Sequence, residues 1–155
     1  ATAEGARLRH VKLHGALYTM AAWDASLAAA TARAVVALDR TLVVFGPPRS
    51  ALLDAARAAG LRVAAEVFAD RACDATGRLV ARGQSGSLLT DPRVVVPRAL
   101  RMVQEGTVVT ADGQVIPVVA QTICIHSDTP GAADLARSLR TALEAAGIHV
   151  APVGA

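Results

Sequence analysis

The sequence predicts an α/β fold built on a parallel sheet. Three observations lead to it. Short, continuously apolar runs such as Thr41 to Phe45 are of the type covered on both faces in parallel sheets. They alternate with stretches at helical spacing, joined by short links, which is the βα repeat. Three of the runs end in polar clusters, and the chemistry of such folds sits at the carboxyl ends of the strands.

The elements follow in order. ATAEGA reads as the last turn of a helix stopped by Gly5, as if the chain began in mid-fold. A short strand through Val11 and Lys12 comes next, ended by Gly15. Ala21 to Asp39 is predicted as a helix with Leu27, Ala34, Val35 and Leu38 on one stripe and Arg33 opposite, although Thr31 interrupts the stripe. Thr41 to Phe45 is a strand broken by Gly46, Pro47 and Pro48. Ser50 to Ala59 is an amphipathic helix stopped by Gly60, and Arg62 to Ala69 is the next strand. Arg71 to Pro97 loosens into a long excursion of the functional-loop or lid type, with a short apolar stretch at Leu79 and Val80. Pro97 suits a first helical turn, so Pro97 to Glu105 is predicted helical. Ala111-Asp112-Gly113 supplies the turn of a hairpin over Thr107 to Val118. Val118 to Ile125 is a further strand. Thr129 and Pro130 then open a helix whose buried face is Leu135, Leu139 and Leu143 and which Gly147 stops. His149 to Val153 is expected as a last short strand.

The 155 residues are read as a single α/β domain with enough chain for a real core. The hydrophobic fraction of 53% owes much to alanine, and no apolar run approaches the roughly 20 residues needed to cross a bilayer. Nor does the start resemble a targeting peptide. The net charge of +3 is carried by scattered arginines with only 3% aromatics, so neither a nucleic-acid surface nor a membrane surface is expected. Cys73 and Cys124 have neither metal spacing nor a disulfide-rich context and are read as packing residues in a reducing cytoplasm. His10 and His149 are read as ordinary histidines, and Gly83 to Ser87 lacks phosphate-loop spacing.

Three clusters carry the candidate chemistry. Lys12 and His14 are two apart, and Lys12 is the only lysine against fifteen arginines. A compact ammonium differs from a guanidinium fork in being titratable, and His14 could act as acid, base or metal ligand. Glu66 and Asp70 alternate with apolar residues toward one face, with Arg71 as a partner for Glu66 or a clamp for a substrate carboxylate. His126 and Asp128 are again two apart, so that both could reach one ligand or the carboxylate could orient the ring.

Three motifs then resemble the LamB/YcsF family, a family of subunits of ATP-dependent 5-oxoprolinase. KLHGALYT at Lys12 to Thr19 is similar to its KPHGALYN, EVFADRAC at Glu66 to Cys73 to its EVFADRAY, and CIHSDTP at Cys124 to Pro130 to its CVHGDTP. The departures are Leu13, Thr19, Cys73 and Ser127, while the side chains with chemistry are kept. The resemblance implies a TIM-barrel-like (β/α) barrel of the glycoside hydrolase/deacetylase type. It also implies that this chain is the carboxyl-terminal three-fifths or so, an incomplete barrel without the family's Asp-Leu-Asn-Ala-Asp-like strand and His-Ala-Gly-Asp-like loop. The implied activity is hydrolysis of 5-oxo-L-proline to L-glutamate with ATP as co-substrate together with Mg2+, no tightly bound cofactor, and two further subunits as partners. In that reading Lys12, His14, Asp70, His126 and Asp128 are catalytic, Arg71, Tyr18 and Glu66 bind substrate, and no residue is assigned to a metal. Replacing Lys12 with Met is expected to abolish turnover and leave the fold intact. The alternatives are a metal-dependent amidohydrolase or deacetylase, with His14, His126 and Asp128 as ligands, and a non-catalytic binding paralogue.

Overall fold

The computed structural model describes residues 4–153, which fall into two compact units. One holds the described chain up to Glu66 together with the residues from Pro152, and the other holds Val67–Ala151. Gly5 takes the left-handed conformation expected of a stop (φ 67°), but the helical turn expected before it lies outside the described residues.

In the first unit β1 (His10–Lys12), β2 (Val43–Gly46) and β3 (Arg62–Phe68, which continues into the second unit) pair in parallel, with Lys12 opposite Phe45 and Val44 opposite Val63. All four residues of β2 are buried, as its unbroken apolar run predicts. Val44 faces a core made with Leu52, Ala56, Leu61, Ala28 and Val35, and Val43, Phe45 and Ala64 form a separate cluster. Covering one leucine such as Leu52 contributes about 2–3 kcal/mol. Gly46 ends β2 because α3 (Ala51–Ala58) lies against it: a Cβ there would meet Leu53 Cδ2 at 3.0 Å. Ser50 caps α3 by accepting from Leu53 N, and Gly60 ends it at φ 77°.

The long helix predicted from Ala21 is two helices, α1 (Gly15–Trp23) and α2 (Ala25–Leu38), bent by 114°. The cause is Asp24, whose extended backbone breaks the first helix and whose carboxylate accepts from Ser26 N and Leu27 N to start the second. The buried stripe of α2 is Ala28, Ala32 and Val35, while Ala34 is exposed and Leu38 is 73% exposed. Small side chains let α2 pack against both α1 and α3.

In the second unit the chain leaves β3 after Phe68 and makes its excursion beyond Asp70, tied by isolated bridges between Arg71 and Leu88 and between Cys73 and Leu79. The helix expected from Pro97 begins earlier, as α4 (Pro92–Gln104), and Pro97 lies inside it. Asp91 and Pro92 supply the same cap-and-proline signal, with Asp91 accepting from Arg93 N. The hairpin of β4 (Thr107–Val109) and β5 (Val115–Pro117) has the predicted turn, with Gly113 at φ 84°. β6 is shorter than predicted (Thr122–Cys124), and Cys124 C=O accepts from Ala69 N. The last helix, α5, runs from Ala132 to Ala145, two residues later than Thr129-Pro130 suggests. Gly131 stands at its start with φ 74°, and the Thr129 hydroxyl is engaged elsewhere. Leu135, Leu139 and Leu143 are buried as expected, in one core with Val95, Ala99 and Met102 of α4 and Val67, Ala69, Cys73 and Val108. His149 to Val153 forms no strand: Pro152 lacks the N–H a ladder needs. Among the described residues no single helix is long and apolar enough to cross a membrane.

Candidate active site

β3 delivers Asp70 to a fully buried position just past its last residue. A carboxylate there is costly without donors, and residues on the far side of the excursion supply three. His126 N donates to Oδ2 at 2.9 Å, the His126 ring places Nδ1 3.1 Å from both oxygens, and Thr129 Oγ1 donates to Oδ2 at 2.7 Å. An ionised carboxylate only accepts, so Nδ1 carries the hydrogen and Nε2 is left as the nitrogen that exchanges a proton. Phe68 stacks on the ring, with centroids 5.4 Å apart and planes at 15°. The imidazole is thus fixed in tautomer and plane while 23% of its side chain stays exposed. Such an arrangement suits general acid–base chemistry with a carboxylate-oriented histidine.

Asp128 does not orient His126, contrary to what their spacing suggests. β6 ends at Cys124, the alternation of a strand no longer applies, and Asp128 turns outward to Arg82, whose Nη1 lies 2.6 Å from Oδ2. The Arg82 hydrogen bond holds the Asp128 carboxyl below its ordinary value. A lowered folded-state pKa contributes stability above the unfolded value of about 3.9, and that contribution is lost as pH falls through the folded value. In a carboxyl NMR titration Asp128 is therefore expected to protonate below about pH 3.9, and Arg82→Ala to return it toward that value.

Arg71 is buried and organises the excursion: Nε donates to Ser87 C=O at 3.2 Å and Nη2 to Val80 C=O at 2.6 Å. It is not the partner of Glu66. Burial, with Arg82 nearby, pulls its pKa below the ordinary arginine value. Cys73 is buried and Cys124 half-buried, and neither is in a disulfide.

The first unit carries its own charged group. Lys12 Nζ sits 2.9 Å from Glu66 Oε1, with Glu66 only 3% exposed, and 5.6 Å from the ring centroid of the buried Tyr18. The other Glu66 oxygen is buried and makes no hydrogen bond among the described residues. His14 does not continue the strand: β1 stops at Lys12, and His14 is an exposed residue at the start of α1, before Gly15 at φ 59°. His10 stacks on Phe45 at 4.4 Å. Among the described residues no three His, Cys, Asp or Glu side chains gather as a metal-holding group.

Sequence reasoning found Lys12, Glu66, Asp70 and His126 as polar groups at strand ends. It missed Thr129, Phe68 and Arg82. Thr129 had a competing explanation as a helix cap, Phe68 looked like core, and Arg82 stands in the loosest part of the sequence. The fold and these groups define the class: an α/β protein with a buried carboxylate–histidine cluster where parallel strands end. The chain belongs to the LamB/YcsF family, whose model matches residues 1–155. It is 51% identical over 150 residues to the A subunit of 5-oxoprolinase from Bordetella pertussis, covering 97% of this chain and 60% of that protein. The corresponding 5-oxoprolinase protein of Chloroflexus aggregans is 52% identical over the same shares. Among solved structures it is similar to a lactam utilization protein from Thermus thermophilus, with a TM-score of 0.87 and 47% identity over 96% of this chain and 59% of that one. The chain thus spans about three-fifths of the length of these relatives.

Proposed function

We propose that this chain belongs to the catalytic subunit of an ATP-dependent 5-oxoprolinase, which opens 5-oxo-L-proline to L-glutamate in a cytoplasmic complex with two further subunits. The single observation that carries the reading is the Asp70–His126–Thr129 cluster. Opening a lactam breaks a ring C–N bond, adds water oxygen to the carbon and leaves a nitrogen that must gain a proton. An imidazole whose Nδ1 is fixed on a buried carboxylate presents Nε2 for that transfer. The names of the relatives, 5-oxoprolinase and lactam utilization protein, support this chemistry. ATP, as co-substrate with Mg2+, supplies the driving force by phosphorylating the lactam oxygen: water adds at the activated carbon, the C–N bond breaks as the nitrogen gains its proton, and the acyl phosphate so formed is hydrolysed by a second water to glutamate and phosphate. Lys12, a cation paired with Glu66 within the first unit, keeps a catalytic role on the family reading alone. The family reading also carries the (β/α) barrel architecture related to TIM barrels, to which these parallel strands would belong.

The test is glutamate release from 5-oxoproline by the full-length protein, with and without ATP and the partner subunits. Release that requires both is expected. Release without ATP, abolished by chelators, would instead establish a metal-dependent amidohydrolase. Tight partner binding without turnover of any lactam would leave a non-catalytic paralogue.

A further inference from the structure

The 5-oxoprolinase substrate is an anion, and the guanidinium first expected to hold its carboxylate is already occupied. Arg71 is buried, and two of its groups donate to the carbonyls of Ser87 and Val80. Arg82 is differently placed. Its side chain is 53% exposed, and among the described residues only Nη1 is engaged, by Asp128. A guanidinium carries five N–H donors in a fixed fork, so its Nε and Nη2 donors have no protein acceptor among those residues.

The surroundings order the turn that carries that fork. Arg82 sits on a short run of turns in which Gln84 N donates to Ala81 C=O, Ser87 N donates to Gln84 C=O and Ser87 Oγ donates back to Arg82 C=O. Arg71 clamps both ends of this run from beneath, at Val80 and Ser87. The partner carboxylate is just as fixed, because Asp128 lies between His126 and Thr129, both of which donate to Asp70. An exposed ion pair of this kind adds little stability in water, too little to explain so much supporting structure. Its evident effect is to hold a guanidinium beside the turn that carries the acid–base histidine.

We propose that Arg82 is the specificity-determining residue that binds the substrate carboxylate, using the donors that Asp128 leaves open. The inference rests on the 5-oxoprolinase reading. It assigns the substrate class as small lactams bearing a carboxylate, with neutral lactams poorly held.

The experiment uses the full-length protein assembled with its partner subunits and ATP. Wild type, Arg82→Ala and Arg82→Lys are compared for KM and kcat on 5-oxo-L-proline and for competitive inhibition by 2-pyrrolidinone, the same ring without the carboxylate. Arg82→Ala is expected to raise KM about 10- to 100-fold, the loss of a charge-assisted hydrogen bond, with kcat within about threefold and the inhibition constant of 2-pyrrolidinone unchanged. Arg82→Lys should fall between, because it keeps the charge without the fork. An unchanged KM overturns the inference. So does a parallel loss of affinity for both compounds, which would mark a general distortion of the turn. A wild-type complex that turns over no 5-oxoproline refutes the underlying reading directly, a result separable from either.

Discussion

Replacing Asp70 with asparagine is expected to lower turnover of the assembled enzyme by up to about four orders of magnitude, on the precedent of the same change in a Ser-His-Asp triad, and to leave the chain folded. Asparagine keeps the shape of the site but presents an amide where the ring Nδ1 and the Thr129 hydroxyl both donate. One of its two positions then faces a donor with a donor, so the imidazole shifts its hydrogen to Nε2 or turns from the Phe68 ring. Leaving one buried donor unmatched costs about 1–3 kcal/mol, which a domain of this size tolerates. The chemical step suffers far more, because the nitrogen that should exchange the proton is now the wrong tautomer. Nitrogen NMR of the His126 ring reads the tautomer directly. A variant that keeps more than a tenth of wild-type turnover would show that Asp70 serves packing alone.

Lys12→Met should abolish turnover and also destabilise the first unit, by about 2–3 kcal/mol. Breaking a buried pair costs about 3–5 kcal/mol, reduced here because the Lys12 side chain is 31% exposed. From the sequence alone the fold was expected to survive this change unaffected. The ion pair to Glu66 revises that expectation, since methionine would strand a carboxylate that is 3% exposed and has one oxygen without a hydrogen bond among the described residues. Adding Glu66→Gln should restore most of the lost stability and none of the activity. The denaturant midpoints of the two single variants and the double variant give the coupling. Equal midpoints for wild type and Lys12→Met would show that the pair is solvated and energetically idle.

What was legible in the sequence follows the reach of local rules. Thr41 to Phe45 announced β2 because its four successive apolar residues after Thr41 suit a strand covered on both faces. Gly60, Gly113 and Gly147 each mark a stop or turn where the backbone takes a positive φ. Capping signals were ambiguous because they occur in duplicate: Asp91-Pro92 and Pro97 compete for one helix, and Asp24 starts α2 in the middle of an alanine-rich run. Within the site the residue types were readable, but the pairings were not. The two-residue spacings of Lys12 with His14 and of His126 with Asp128 imply a shared face only while the strand lasts, and β1 and β6 stop at Lys12 and Cys124. Glu66 with Lys12, Asp70 with His126 and Asp128 with Arg82 are contacts between distant segments. Local periodicity has nothing to say about them.

The backbone hydrogen bond from His126 to Asp70 joins residues 56 apart in sequence. Closing a loop of that length carries an entropy cost of about 3–4 kcal/mol, recovered only when α4 and α5 have packed around the shared core. Until then the nascent polypeptide holds an ordinary imidazole and an ordinary carboxylate, each free in water. The paired carboxylate and imidazole therefore exist only once this long-range contact has closed, and a chain locally unfolded in this unit lacks the pair.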